Sequence, residues 1–161
     1  MEPGVWLPCS IRWMITTDLP ACQQIERDAA DEDNYLEPWA IKDFVEQLEN
    51  INCIGQIAEV TQDGNQVIGG FMLFERERAR LVLTRLTVHP AVRRAGIASQ
   101  LLAYLVSKIS PNRYREAICD VSERSLDLQM FLKTLGWTAT KVLGRYKGDD
   151  DGIRFKFWLQ E

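Results

Sequence analysis

Residues 80–106 constrain this chain more than any other stretch. Arg80 to Val88 is a β-forming run in which Leu81, Leu83, Leu86 and Val88 stand with Thr84 and Thr87. His89-Pro90 ends it, since proline has no N–H to extend a ladder. A loop containing one glycine follows, Arg93-Arg94-Ala95-Gly96-Ile97-Ala98. It leads into an amphipathic helix whose apolar positions Leu101, Leu102, Leu105, Val106 and Ile109 lie three and four apart. A strand feeding a helix through a short loop places the chain in the mixed α/β class.

The rest of the chain alternates in the same way. Ser10 to Ile15 reads as a strand with Ile11, Trp13 and Ile15 on one face. Asp18 is a candidate N-cap for a helix with Pro20 in its first turn, running to about Ala29. Asp28 to Tyr35 reads as a polar, acidic loop. Glu37-Pro38-Trp39 opens a second helix carrying Ile41, Phe44, Val45 and Leu48. Ile54–Val60 and Gln66–Glu75 form a hairpin around Asp63-Gly64-Asn65. Glu116–Val121 is a strand, Leu126–Leu135 a helix stopped by Gly136, and Trp137–Leu143 another strand. Lys147 to Gly152 reads as an acidic turn before a last strand, Ile153–Leu159.

Length and composition narrow the function classes. At 161 residues the chain is expected to be one domain, residues 10–161, preceded by an extension at 1–9. No apolar run approaches the roughly 18–20 residues of a membrane span, and Met1–Ser10 lacks a basic, apolar leader pattern. The net charge of −4 disfavours nucleic-acid binding, although Arg76, Arg78, Arg80, Arg93 and Arg94 form a local basic set. Four cysteines without CxxC spacing and a single histidine, His89, do not make a usual zinc site. Free thiols in a reducing cytoplasm are the expectation. No nucleophile elbow surrounds any serine.

The Gly96 loop is where chemistry concentrates. The first N–H groups of a helix have no intrahelical partner and lie at the positive end of its dipole. A pyrophosphate accepts from such groups, Gly96 and Ala98 leave the backbone approachable, and Arg93 and Arg94 add charge. An ordinary strand–helix turn would look much the same.

Val88-His89-Pro90-Ala91-Val92-Arg93-Arg94-Ala95-Gly96-Ile97-Ala98 followed by Leu101-Leu102 resembles motif A of the GNAT acetyltransferases, Arg/Gln-x-x-Gly-x-Gly/Ala. Ser125 to Trp137, closing on Leu135-Gly136-Trp137, resembles motif B. Within the family, Thr16-Thr17-Asp18-Leu19-Pro20, Pro38-Trp39 and Arg145-Tyr146 before an Asp-Gly turn are similar to RimI-type protein N-terminal acetyltransferases. The resemblance runs from about Ile11 to Leu159. It implies a mixed, mostly antiparallel twisted sheet of about six to seven strands, flanked by about four helices.

The resemblance also implies direct transfer of an acetyl group from acetyl-CoA to an amine, with no metal. Leu86, Thr87 and Val88 would supply an N–H donor to the acetyl carbonyl, and Arg94, Ala95, Gly96, Ile97, Ala98 and Ser99, with Arg93, would hold the pyrophosphate. The chain departs from the RimI pattern at three positions. Leu132 replaces the tyrosine that protonates the departing thiolate, Asp120 replaces the glutamate base, and Ser125 replaces the asparagine that touches the cofactor. Asp120, a shorter carboxylate that would reach less far, is the candidate base; Tyr146, and after it Tyr35, the candidate acid.

Asp28, Asp31, Glu32 and Asp33 in one loop, with Asp149, Asp150 and Asp151 in another, would favour a cationic acceptor or simply be solvated. The acceptor is a protein N-terminus or a small amine, and the molecule a monomer or homodimer. The competing reading is a catalytically silent acyl-CoA-binding sensor or interaction module, favoured by Leu132.

Overall fold

The computed structural model describes residues 6–32 and 37–159, which form seven strands and four α-helices. They are β1 (Ser10–Trp13), α1 (Leu19–Glu32), α2 (Ile41–Leu48), β2 (Cys53–Gln62), β3 (Asn65–Arg76) and β4 (Arg80–Val88), then α3 (Ile97–Val106), β5 (Glu116–Ser122), α4 (Leu126–Thr134), β6 (Thr138–Lys147) and β7 (Asp150–Trp158). Single 3-10 turns precede α1 at Thr16–Asp18 and α3 at Pro90–Val92. The hydrogen-bonding order of the strands is β1-β2-β3-β4-β5-β7-β6. The strand and helix numbers agree with the α/β class, and with the mixed sheet, expected from sequence.

The chain divides into two compact units, each built from separate stretches of sequence. The first holds the described residues up to Phe74 together with Arg85–Ala103. β1 pairs antiparallel with β2, Ser10 opposite Glu59 and Trp13 opposite Gln56. β2 turns into β3 through Asp63 (φ 51°) and Gly64 (φ 79°), two consecutive positive-φ residues that give the twist a two-residue hairpin needs. α1 lays Leu19, Cys22 and Ile25 on a core with Phe44 of α2, Ile57 of β2, and Phe71 and Leu73 of β3. Phe44 is fully buried and meets both Trp39 and Phe71 edge-on, with centroids 5.2 and 5.3 Å away.

The second unit holds Glu75–Thr84 and the residues from Tyr104 onward. Here the first half of β4 runs parallel to β5, Arg80 beside Glu116 and Leu83 beside Cys119. β7 pairs antiparallel with β5 on one side and with β6 on the other. α4 ends in a Schellman motif, in which Trp137 N–H donates to Leu132 O and Gly136 N–H to Lys133 O, both at 3.0 Å.

Three local expectations need correction. α1 does not stop near Ala29 but continues to Glu32, so Asp28, Asp31 and Glu32 are helical; Asp33 and Tyr35 lie outside the described residues. Glu37–Ala40 is not helical, and α2 begins at Ile41. The acidic turn is shorter than Lys147–Gly152, because β6 reaches Lys147 and β7 starts at Asp150. Asp150 and Asp151 therefore belong to a strand, where pairing with β6 outweighs their poor strand propensity.

Candidate active site

In the first unit, β4 delivers Leu86, Thr87 and Val88 to the start of the glycine loop. Thr87 is buried, with Leu86 and Val88 half-buried on either side. β3 approaches β4 closely here, since a Cβ at Gly70 would stand 2.9 Å from Thr87 O. His89 N–H donates to Gly69 O at 2.8 Å, and the His89 ring fixes the next turn by accepting from Ala91 N–H at Nδ1. The other ring nitrogen, Nε2, then carries the proton and donates to the Asp28 carboxylate at 2.9 Å. Hydrogen bonds from Gln24 and then His89 hold Asp28 below the usual carboxylate pKa.

Gly96 has φ +81°, a conformation open to glycine and strained for other residues. It directs the chain into α3, whose first residues are Ile97, Ala98 and Ser99. Their N–H groups are the unpaired donors of a helix start. Arg94 also has positive φ, 61°, and is exposed, while the Arg93 side chain turns back toward Val88 O at 3.5 Å. The sequence-derived residues 86–88 and 93–99 are thus one continuous strand–loop–helix corner. Beside it, Asp28, Asp31, Glu32, His89, Ala91 and Arg93 border a hollow of about 460 Å³.

A charged cluster that sequence reasoning did not single out supports this corner. Glu26 of α1 is 2% exposed. Its carboxylate accepts from Arg85 Nε at 2.7 Å and from the Thr87 hydroxyl at 3.0 Å. Arg85 also donates to Glu37 O and lies over the Trp39 ring, 4.8 Å from its centroid. The available signal was a glutamate on the apolar face of α1, with Leu19, Cys22, Ile25 and Ala29.

In the second unit the remaining candidates fall into two places. Asp120 on β5 receives both arms of the Arg154 guanidinium, Nε to Oδ1 at 2.8 Å and Nη2 to Oδ2 at 3.0 Å. The pair raises the Arg154 pKa, chiefly through the hydrogen bond to Asp120. Tyr146 donates its hydroxyl to the Asp120 backbone oxygen at 2.9 Å. Its ring lies against Gly152, where a Cβ would be 2.5 Å from Tyr146 Cγ. Irregular register between Leu143 and Lys147, with Arg145 at φ 52°, aims Tyr146 there. So the structure brings Asp120 and Tyr146 together. Ser125, by contrast, is the buried residue ahead of α4; its N–H donates to Ser122 O and its carbonyl accepts from Gln129 N–H. Leu132 is wholly buried in α4 and offers no proton.

Among the described residues no group of His, Cys, Asp and Glu is arranged to hold a metal, and no helix is long and apolar enough to cross a membrane. Cys9, Cys22, Cys53 and Cys119 are in no disulfide among the described residues. Burial pushes the Cys22 and Cys119 thiols up to about 12, so both remain protonated at neutral pH.

Residues 19–137 match the family described as Acetyltransferase (GNAT) family. No curated protein sequence matches significantly. Among solved structures, the ribosomal-protein-S18-alanine N-acetyltransferase from Escherichia coli superposes with TM-score 0.77 and 21% identity, over 96% of each chain. Ard1 from Thermoplasma volcanium gives 0.78 and 16%, covering 95% of this chain and 99% of that one. Arabidopsis thaliana NAA60 in complex with acetyl-CoA gives 0.76 and 16%, covering 94% and 99%. At these identities the likeness concerns the fold.

Proposed function

Since the chain belongs to the acetyltransferase (GNAT) family, we propose that it moves an acetyl group from acetyl-CoA to the amine of a peptide N-terminus or a small molecule. The observation that carries this reading is the corner from Leu86 to Ser99, with Gly96 at φ +81° at the entrance to α3. Its residues suit a pyrophosphate: α3 opens with the N–H donors of a helix start, Gly96 adds no side chain of its own, and Arg93 and Arg94 flank it. Bound acetyl-CoA supplies a thioester carbonyl for attack by a neutral amine.

The chain supplies the rest. The backbone of Leu86–Val88 offers N–H groups to the carbonyl oxygen as it gains charge, and Glu26, by holding Thr87 and Arg85, keeps that strand end in place. Tyr146 is the proposed proton donor to the departing thiolate, in the role Leu132 cannot fill. Asp120 is the proposed base. A carboxylate in a bidentate pair with Arg154 keeps two lone-pair positions, so its route to the ammonium runs through water. Ser125 completes the proposed cofactor contacts. The carboxylates of Asp28, Asp31 and Glu32 support a cationic acceptor. Residues 10–161 acting as a single catalytic domain in the cytoplasm, without nucleic acid or a membrane, complete the reading. The silent CoA-binding module is the less favoured alternative.

Calorimetric titration of the purified protein with acetyl-CoA and with CoA, followed by transfer assays on N-terminal peptides and small amines, tests the proposal. Micromolar binding with measurable transfer supports it. Binding without transfer to any amine favours the silent module, and no binding by folded protein removes the reading.

A further inference from the structure

Trp6–Cys9, the described residues ahead of β1, are pinned to the glycine loop. Leu7 N–H donates to Ala95 O at 2.8 Å. Gln100, on the first turn of α3, acts as a clamp. Its Nε2 donates to Leu7 O at 2.8 Å and to Gly96 O at 3.1 Å, and its Oε1 accepts from Cys9 N–H at 2.9 Å. The six-membered ring of Trp6 then rests on Gly96 so closely that a Cβ on that residue would collide with it.

We propose that Trp6 is part of the cofactor site and stacks against the adenine of acetyl-CoA bound at the Gly96 loop. The proposal rests on the reading of Arg93–Ser99 as the pyrophosphate loop. Three observations carry it. First, the segment meets the loop backbone at the carbonyl of Ala95, through Leu7 N–H, and otherwise bonds the Gln100 side chain, so these bonds spend none of the N–H donors that open α3. A plug in the anion site would compete for those donors. Second, Trp6 is 57% exposed although one part of its ring is seated on Gly96, so much of the indole remains available to a planar ligand. Third, the backbone beside Trp6 is held by the Leu7 and Gln100 bonds, which reduces the ordering a stacking partner must impose. Adenine is joined to the pyrophosphate of CoA through one ribose, so a phosphate on this loop brings the base to its margin. Indole presents a flat apolar face to it, and base–aromatic stacking tolerates solvent well enough to add on the order of tenfold to affinity.

The test compares wild type, Trp6→Ala and Trp6→Phe by calorimetry with two probes, acetyl-CoA and S-acetyl-4′-phosphopantetheine, which lacks the adenosine 3′,5′-bisphosphate portion and keeps one phosphate of the pyrophosphate. Thermal melts of each variant establish that it is folded. Trp6→Ala is expected to weaken acetyl-CoA binding on the order of tenfold and to leave the truncated probe unchanged, with Trp6→Phe keeping most of the affinity. As a second measurement, adenosine 3′,5′-bisphosphate should quench wild-type tryptophan fluorescence and quench Trp6→Phe far less. Equal affinity of wild type and Trp6→Ala for acetyl-CoA overturns the role of Trp6 while leaving the loop assignment intact. Tighter binding by Trp6→Ala also overturns it and makes the segment an occluding strap. If neither probe binds folded wild type, the pyrophosphate reading itself fails, and the proposal with it.

Discussion

The carboxylate of Asp18 accepts from both terminal nitrogens of Arg12 and from Ile15 N–H, each at 2.8 Å. Arg12 reaches Glu59 as well, through Nε at 2.8 Å. The Arg12 hydrogen bond, more than any other influence, holds the Asp18 carboxyl below its ordinary value of 3.8. A group whose pKa is depressed by folding contributes stability above its unfolded value and loses it as pH falls through the folded one. Asp18→Asn should therefore destabilise the protein by about 1–2 kcal/mol at neutral pH, the worth of a charge-assisted bond. The gap to wild type should begin to close below about 4, where the unfolded chain starts to protonate this group, and vanish as pH falls through the lower folded value. Urea denaturation at neutral and acid pH reads both effects, and a gap independent of pH would contradict the assignment. Sequence pattern made Asp18 the N-cap of α1, a local rule; instead it ends the 3-10 turn ahead of α1, and its carboxylate accepts from Ile15 N–H behind it. Its principal partners came from β1, and no local rule sees Arg12 on a neighbouring strand. Glu26 was hidden for the same reason, since its partners Arg85 and Thr87 lie 59 and 61 residues away.

At the scale of elements, the β6–β7 hairpin decides where Tyr146 points. The irregular stretch before Lys147 sets the tyrosine ring on the bare backbone of Gly152, and its hydroxyl then meets Asp120 O on β5. If Tyr146 is the proton donor, Tyr146→Phe should lower kcat by about 10²-fold or more, in the usual range for general acid catalysis of about 10²–10⁴, with KM for acetyl-CoA little changed. Gly152→Ala should have a similar effect through geometry, by pushing the ring aside, and the double variant should be no slower than the worse single one. Full activity of Tyr146→Phe would exclude the tyrosine. In the first unit, Phe44 shows how α2 is held: truncation to alanine removes two edge-on ring contacts and should cost about 3–5 kcal/mol, measurable by denaturant unfolding. Its helix was legible because Ile41, Phe44, Val45 and Leu48 fall at helical spacing. The extension of α1 through Asp28, Asp31 and Glu32 was not, since charge there masked a sequence that Ala29, Ala30 and Glu32 allow to stay helical. Asp150 and Asp151 entered β7 because a paired hairpin overrode their turn preference.

For the molecule as a whole, the class and the glycine corner were readable because the apolar period switches from strand to helix across residues 80–106. The insertion of β7 between β5 and β6 was not, because strand order depends on pairings that leave no periodic trace. Nor was the seating of Trp6–Cys9 on the loop, which rests on the Gln100 side chain and one backbone bond from Leu7 to Ala95, contacts across about ninety residues of sequence. The corner makes a prediction for the whole chain through linkage. A ligand that binds only the native state adds RT ln(1 + [L]/Kd), about 2.7 kcal/mol at a hundredfold excess over Kd. For a protein of this size, that corresponds to a rise in Tm of about 5–10 °C. Gly96→Glu would place a carboxylate at a positive-φ position of the proposed pyrophosphate loop, adding strain, a collision with Trp6 and negative charge beside the expected anion. That variant should start from a lower Tm of its own, and acetyl-CoA should leave its melt unmoved. The comparison is internal, each protein with and without acetyl-CoA, so loss of stability and loss of binding are read separately. An equal rise in both would place the cofactor away from Gly96.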